Sequence, residues 1–469
     1  MLLSTIAVLG ALLAILPQVA VYMVHILYIL RSESRPPRTP SISTCRKAHD
    51  ISFILPVRKE PIEYIERALR HIGSLGIPEY EVVLVSDDDE HAKNAILSLV
   101  SKLREEGINV WFIWRSIPVA GRTGALNVGL YASRGKYVYV YDVDTLPSPE
   151  FFDCAVTILE TCGKCFGVVG EWVALNRDSR VSEALYLGMK FVRSILYNAR
   201  NRLGLHIYPL GTGTLYKACI LKSVFNGWDP ERVQDDVELG IRALCSDYEV
   251  VFLEGFYIKV ENPSTYKAFR VQQSRWAYGA LDALLARFSC FAKSRKPALV
   301  RLESLMYALQ YIPSALVFTG GFILGAVQIA SPCPVLEALP LLFVIWVIAT
   351  ATYTYMIYAK TGKGDYKAFF VLAGRLSAIS TAVTPYIAFS TLKALLRVKE
   401  VYKRTPKGYY QQVRERLRIP WELLFATYFA IASLRALLGG CILTCIFLAT
   451  LSLPFFYVTY RFKQDVFYE

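Results

Sequence analysis

Asp142 and Asp144, one residue apart, close the run 136–145 (K-Y-V-Y-V-Y-D-V-D-T). A β-branched and aromatic run of this kind reads as a strand, and carboxylates at the carboxyl end of a strand in an α/β domain face the ligand crevice rather than the core. Hard oxygen donors suit Mg²⁺ or Mn²⁺, which take one or two protein carboxylates and complete their shell with water and substrate phosphates. The chemistry this allows is the handling of a diphosphate. A D-x-D triplet occurs by chance on many surfaces, so its weight depends on what else converges on the same crevice.

Several other groups of residues are candidates for that convergence. Asp87 and Asp88 follow the apolar run 81–86; either can accept hydrogen bonds from a base or ribose, and a solvated acidic turn is the plain alternative. Gly121 and Arg122 open a helical pattern, where the backbone can approach an anion closely and the guanidinium can neutralise phosphate. Gly211, Thr212 and Gly213 form a glycine-bearing turn. Asp235 and Asp236 begin a helix; capping accounts for carboxylates there, and a general base is the sharper reading. Gln272, Arg275 and Trp276 combine an amide, a guanidinium and an indole, with Gln272 and Trp276 on one helical face. An interfacial helix would also use Trp and Arg. No G-x-G-x-x-G follows the first strand, which argues against a nicotinamide or flavin cofactor.

The elements that must position these groups are legible as alternation. Strand patterns at 51–56, 81–86, 109–114 and 136–145 alternate with helical patterns of about a dozen residues, which predicts a parallel sheet covered on both faces. Of the 469 residues 54% are hydrophobic and the mean hydropathy is +0.34, too apolar for an ordinary soluble enzyme. The apolar excess lies before residue 31 and after 305. Stretches 2–30, 305–329, 339–359, 421–438 and 441–460 are each long enough to span about 30 Å of hydrocarbon, and they are uncharged apart from Glu422 and Arg435 in the fourth. The stretch 368–392 carries Arg375 and Pro385 between two basic flanks and reads as an interfacial or re-entrant helix. The net charge of +13 gathers beside these stretches (Arg31, Arg35, Arg46, Lys47; Lys399, Lys403, Lys407). It is therefore attributed to membrane topology rather than to nucleic acid, with the amino end outside and the charged flanks in the cytoplasm. The ten cysteines lack paired spacing apart from Cys162 and Cys165, and are read as reduced and structural.

Together these residues resemble the membrane-embedded family-2 glycosyltransferases, the group that includes cellulose, hyaluronan and chitin synthases. Asp87/Asp88, Asp142-x-Asp144, Gly211-Thr-Gly213, Asp235-Asp236 and Gln272-x-x-Arg275-Trp276 stand in that family's order, and 402–407 (Y-K-R-T-P-K) looks like its F-x-V-T-x-K gating loop. The resemblance implies an α/β cytoplasmic domain of GT-A type, with a Rossmann-like parallel sheet, joined to transmembrane and interfacial helices. The corresponding boundaries are a transmembrane helix at 1–31, the GT-A domain at 48–262, interfacial helices at 263–300, a transmembrane hairpin at 301–360, an interfacial helix at 366–398, the gating-like loop at 399–418 and a final hairpin at 420–461.

The resemblance also implies roles. Asp87 or Asp88, Arg122, Asp142, Gln272, Arg275 and Trp276 would bind a nucleotide diphosphate sugar, a UDP-sugar by family precedent. Asp144 with Asp142 would hold Mg²⁺ or Mn²⁺. Asp236, beside Asp235, would be the base in an inverting transfer. Gly211, Thr212, Gly213 and Trp276 would meet the acceptor, and Tyr402, Thr405 and Lys407 would close over the donor. The expected product is a growing polysaccharide with possible translocation through a multi-pass membrane protein; single transfer to a polyprenyl phosphate or other lipid-linked acceptor is the alternative. Two departures stand out: Arg122 where many relatives have lysine, which alters phosphate geometry, and Asp235 where glutamate is usual.

Overall fold

The computed structural model describes residues 2–36, 44–332, 334–362, 365–400, 405 and 416–468. Strands β1 (Ile51–Val57), β2 (Tyr80–Ser86), β3 (Val110–Trp114), β4 (Tyr137–Val140), β5 (Thr145–Pro147), β6 (Cys165–Ala174), β7 (Thr214–Lys217) and β8 (Glu249–Val260) form one sheet in the order β3-β2-β1-β4-β7-β6-β8-β5. The first four pair in parallel, as the strand–helix alternation predicts. The rest of the sheet is mixed, which corrects the all-parallel expectation: β7 is antiparallel to both β4 and β6, and β5 is antiparallel to β8. The physical reason is that crossover helices impose parallel pairing only where each strand is followed by one. That alternation ends at β4, and β7 enters the sheet from the opposite end, straight out of the glycine turn at 211–213.

Helix α1 (Leu2–Ser32) precedes the sheet. The sheet's own helices are α2 (Ile62–Ser74), α3 (Glu90–Glu105), α4 (Gly121–Ala132) and α5 (Pro149–Thr161). The buried Ile65, Ala68, Leu69 and Ile72 of α2 recur at helical spacing and give it one apolar face. One core layer is built on Phe53, Tyr139, Phe151 and Phe152, whose rings meet edge to face at 5.0–6.1 Å. The other side of the sheet packs Ile54, Val138 and Val140 against Leu126 and Leu130 of α4. Both faces of the parallel half are thereby covered.

The chain continues through α6 (Arg180–Phe191), a π-helical turn Val192–Tyr197, α7 (Asn198–Leu203), α8 (Ala218–Ser223), α9 (Asp235–Leu244), α10 (Tyr266–Ala286), α11 (Phe288–Lys293) and α12 (Ala298–Ala308). Beyond them lie α13 (Ile312–Ala330), α14 (Val335–Ala338), α15 (Pro340–Thr361), α16 (Tyr366–Ala382), α17 (Thr384–Leu395), α18 (Trp421–Leu438), α19 (Ile442–Arg461) and α20 (Lys463–Phe467). Among the described residues α1, α13, α15, α18 and α19 are long and apolar enough to cross a membrane. The second of these starts at Ile312 rather than at 305, because α12 ends at Ala308 and Pro313 opens a new helix. Helices α16 and α17 are bent by 43° at the break before Pro385. Arg375 on α16 donates to Glu183 of α6 at 2.6 Å, tying that helix to the sheet domain.

Helix α10 is tied to the apolar bundle through a buried carboxylate. Glu422, at the start of α18, faces Arg270 of α10 at 3.4 Å, accepts from Tyr386 of α17 at 2.9 Å, and pairs with Arg418. Two cations and a phenol around one carboxylate satisfy a group that burial alone would strand.

The reading of the cysteines as reduced is corrected for six of them. Cys45 pairs with Cys154, Cys162 with Cys165, and Cys245 with Cys290. The first and third join positions 109 and 45 residues apart, so only the packing of α5 and α9 brings them together. Closing a loop of 45 residues constrains the unfolded chain by about 4 kcal/mol in the chain-entropy treatment. Cys245→Ser together with Cys290→Ser should therefore lower the melting temperature by roughly 5–10 °C, and thiol reductant should lower that of the wild type. A thermal melt in detergent checks this; equal melting temperatures in all three samples would show that the link contributes nothing.

Candidate active site

The cleft opens where β4 stops. The chain turns through Asp142, Val143 and Asp144, and Thr145 locks the turn by donating to the Asp142 carbonyl from its amide at 3.0 Å and its hydroxyl at 2.8 Å. The Glu261 amide donates to the Asp144 carbonyl at 3.0 Å. Backbone bonds to β5 and β8 thus aim the two carboxylates, and both line the cleft.

Arg122 stands opposite on the first turn of α4. The loop before it, with Ala120 and Gly121 both at positive φ, is clamped by Arg115, which donates to the carbonyls of Val119 and Gly121. Arg115 is in turn held by Asp87 through two bonds at 2.6 and 2.5 Å. Arg122 Nη1 then donates to Asp142 Oδ1 at 2.7 Å and Nη2 to the Gly211 carbonyl at 2.9 Å, with Nε 3.6 Å from Asp235 Oδ2. One guanidinium therefore joins the D-x-D turn, the glycine turn and the start of α9.

Asp235 is buried and Asp236 forms part of the cleft wall. Asp236 accepts from the Gly211 amide at 3.0 Å and the Val237 amide at 2.8 Å, which fixes its orientation. Burial, and then the adjacent Asp235 carboxylate, push Asp236 up to about 7; burial also raises Asp235, against the pull of Arg122. A carboxylate that exchanges its proton near neutrality suits general-base chemistry. In the glycine turn Gly213 has φ +92°, and a Cβ there would lie 2.9 Å from Trp172 Nε1. Glycine is required at that point, and it seats the Trp172 indole, whose N–H donates to the Thr212 carbonyl at 3.0 Å.

Helix α10 closes the other side. A Cβ at Gly279 would come within 2.6 Å of the Gln234 side chain at the cap of α9, so glycine allows the two helices to touch. One turn earlier, Gln272, Arg275 and Trp276 reach the cleft. Of the residues singled out in the sequence, Arg122, Asp142, Asp144, Gly211, Thr212, Asp235, Asp236, Gln272, Arg275, Trp276 and Thr405 line this one cleft. Asp87 and Asp88 stand outside its lining: Asp87 holds Arg115, and Asp88 accepts from the Lys59 amide and from Ser86 at 2.9 Å. Gly213 lies one residue behind the wall. Tyr402 and Lys407 lie outside the described residues. Trp172, Glu60 and Asn262 also line the cleft and escaped the sequence reading; for Trp172 the available signal was an aromatic two residues past the apolar run 165–170.

Two family descriptions match the chain, "Glycosyl transferase family 2" over residues 52–209 and "Glycosyl transferase family group 2" over residues 137–358. Together the two matches cover residues 52–358, so the chain carries a family-2 glycosyltransferase domain and is a transferase. A probable glycosyltransferase of Sulfolobus acidocaldarius is 28% identical over 428 residues, which are 89% of this chain and 90% of that protein. Glucomannan 4-beta-mannosyltransferase 7 of Arabidopsis thaliana is 23% identical over 260 residues, 53% of this chain and 46% of that one. Among solved structures, mannosyltransferase PcManGT from Pyrobaculum calidifontis in complex with GDP-Man and Mn²⁺ shares the fold, with a TM-score of 0.57 at 17% identity over 84% of this chain and 99% of that one.

Replacing Arg122 by Met should leave Asp142 and the buried Asp235 without their shared cation, lowering stability by about 3 kcal/mol at pH 8. The stranded Asp235 carboxyl, already raised by burial, then loses the pull of Arg122 and titrates further above its unfolded value, so the folded variant binds more protons than the unfolded chain and loses stability as pH rises through that raised value. The melting-temperature gap to wild type should accordingly be smaller at pH 5 than at pH 8. A gap independent of pH would contradict the electrostatic account.

Proposed function

We propose that this chain transfers a hexosyl unit from a nucleotide diphosphate sugar to a growing polysaccharide at the membrane face, with inversion at C1. The observation that carries this reading is the meeting of Asp236, oriented by the Gly211 amide, with Arg122, the D-x-D turn and the Gln272–Trp276 group in one cleft. Asp236 takes the proton from the acceptor hydroxyl as that oxygen attacks C1 from the side opposite the departing diphosphate. Arg122 and Arg275 neutralise the charge that develops on the diphosphate. Trp276 and Trp172 offer indole faces to sugar rings, and Thr405, whose hydroxyl is buried without a hydrogen-bond partner among the described residues, lines the cleft and offers that hydroxyl to the nucleotide.

The cleft also fits a divalent cation of the hard class, since Asp142 and Asp144 supply two carboxylates rather than a closed cage and leave room for phosphate oxygens and water. Such a cation, Mg²⁺ or Mn²⁺, would neutralise the leaving diphosphate when bound. The nucleotide and the sugar stay open to test. The relatives named as mannosyltransferases, and the similar structure that holds GDP-Man, make GDP-mannose the first donor to try, beside the UDP-sugars that the family resemblance suggests.

The five long apolar helices and the basic residues beside them support a multi-pass protein with its catalytic domain in the cytoplasm. One observation favours a lipid-linked acceptor as a second reading. A second cavity meets the cleft at Arg275 where α18 begins; it is lined by Glu400 and by Arg270, Tyr386, Arg418 and Trp421, and its cationic and aromatic groups, two of the arginines being shared with Glu422, suit a phosphate at a membrane boundary.

The test is nucleoside diphosphate release by the purified protein in nanodiscs, over GDP-mannose and a panel of UDP-sugars with Mg²⁺ or Mn²⁺, with the product sized. Asp236→Asn should lower turnover by about 10²–10⁴-fold; retention of more than a tenth of wild-type turnover would remove Asp236 as the base. High-molecular-weight product supports the polysaccharide reading, and one sugar in the lipid fraction supports the second.

The pH dependence follows from the same pair. The base acts when deprotonated, so kcat/KM should rise with pH through an apparent value near 7. Asp235→Asn deletes the negative neighbour that raises Asp236 and should move this limb to lower pH. A limb unmoved in that variant would assign it to another group.

A further inference from the structure

Behind the cleft, between the glycine turn and helix α1, lies an arginine that the transfer reaction does not contact. Arg200, on α7, is fully buried. Its Nε lies 2.9 Å from Glu303 of α12, and its Nη2 donates to the other Glu303 oxygen at 3.1 Å. Tyr28, near the end of α1, donates to Glu303 Oε1 at 2.6 Å. The same Nη2 also donates to the His206 carbonyl at 2.8 Å. The guanidinium sits over the Tyr307 ring, 4.1 Å from its centroid, and Tyr307 stacks on Tyr208 at 4.4 Å.

His206 and Tyr208 belong to the short segment 206–211 that ends in the Gly211 amide, the donor to Asp236. His206 is also fastened to α9, where burial drives its ring well toward the neutral form, to about 3, and Nε2 bonds the Gly240 carbonyl at 2.9 Å. The segment is therefore gripped by Arg200 at one end and meets the carboxylate at the other. A buried Arg–Glu pair adds little net stability over apolar groups of the same volume, because desolvation offsets the Coulomb attraction. What it supplies instead is directional geometry, since a planar fork with fixed donors holds its partners in one arrangement.

We propose that Arg200 is a positioning residue for Asp236, and that Glu303 and Tyr28 make the placement of the Gly211 amide depend on the seating of the membrane helix α1. The inference rests on the reading of Asp236 as the general base. Geometry lost at this site appears in the chemical step rather than in donor binding, because the donor contacts on Asp142, Gln272 and Arg275 are left in place.

The experiment uses the full chain in nanodiscs and compares Arg200→Lys and Tyr28→Phe in two backgrounds, wild type and Asp236→Asn, with active molecules counted by stoichiometric nucleoside diphosphate binding. In the wild-type background Arg200→Lys should lower kcat about tenfold and Tyr28→Phe about threefold, with the donor KM within twofold. In the Asp236→Asn background neither should lower the residual rate further, since the group being oriented is gone. Equal losses in both backgrounds, or unchanged kcat with only a lower melting temperature, would reduce the network to a structural role and overturn the proposal. If Asp236→Asn turned over like wild type, the general-base reading would fall and this inference with it. Should Arg200→Lys yield no nucleotide-binding protein, Tyr28→Phe, which deletes one hydroxyl, decides alone.

Discussion

One guanidinium among carboxylates is the interaction on which the cleft depends. Arg122 touches Asp142, the Gly211 carbonyl and Asp235, groups contributed by three separate parts of the chain. Acidic groups gathered this closely repel one another and resist burial, and each would neutralise itself by taking a proton if no cation stood among them. Arg122 can stand there only because the loop before α4 is bent back, and Arg115 holds that bend with the help of Asp87. The acidic end of β2 thus serves the cleft through a neighbour.

The same dependence runs into the apolar helices. Helix α10 brings Gln272, Arg275 and Trp276 to the cleft while its Arg270 is engaged by Glu422 at the foot of α18. Helix α1 reaches the glycine turn by way of Glu303 and Arg200. The sheet supplies the aspartate turn, and the apolar bundle supplies part of the frame that holds the opposing wall. In physical terms the two halves of the chain form a single packed unit at the cleft.

Local chemistry was legible in the residues themselves. Strand and helix periodicities predicted the parallel half of the sheet, because an apolar stripe is a property of a few consecutive turns or pleats. The five long apolar helices were equally plain, since hydrocarbon demands a near-continuous apolar stretch. The strongest pointers to the cleft were short polar groups at element ends, where carboxylates and glycines have no reason to serve a core. The antiparallel entry of β7 was hidden, because its four residues carry no periodicity and its direction is set by partners on both sides. The disulfides were hidden for a similar reason: residues 109 apart share no local pattern.

By itself, then, the sequence determined the class of fold, the apolar segments and the residue types chemically suited to a diphosphate, all of which follow from spacing along the chain. Tertiary structure decided which of those residues meet. It placed Asp87 on Arg115 instead of in the cleft wall, seated Trp172 against the glycine turn, and set Asp236 against the Gly211 amide 25 residues before it. Partners that far apart are chosen by packing and electrostatics in three dimensions, and no local rule of spacing encodes that choice.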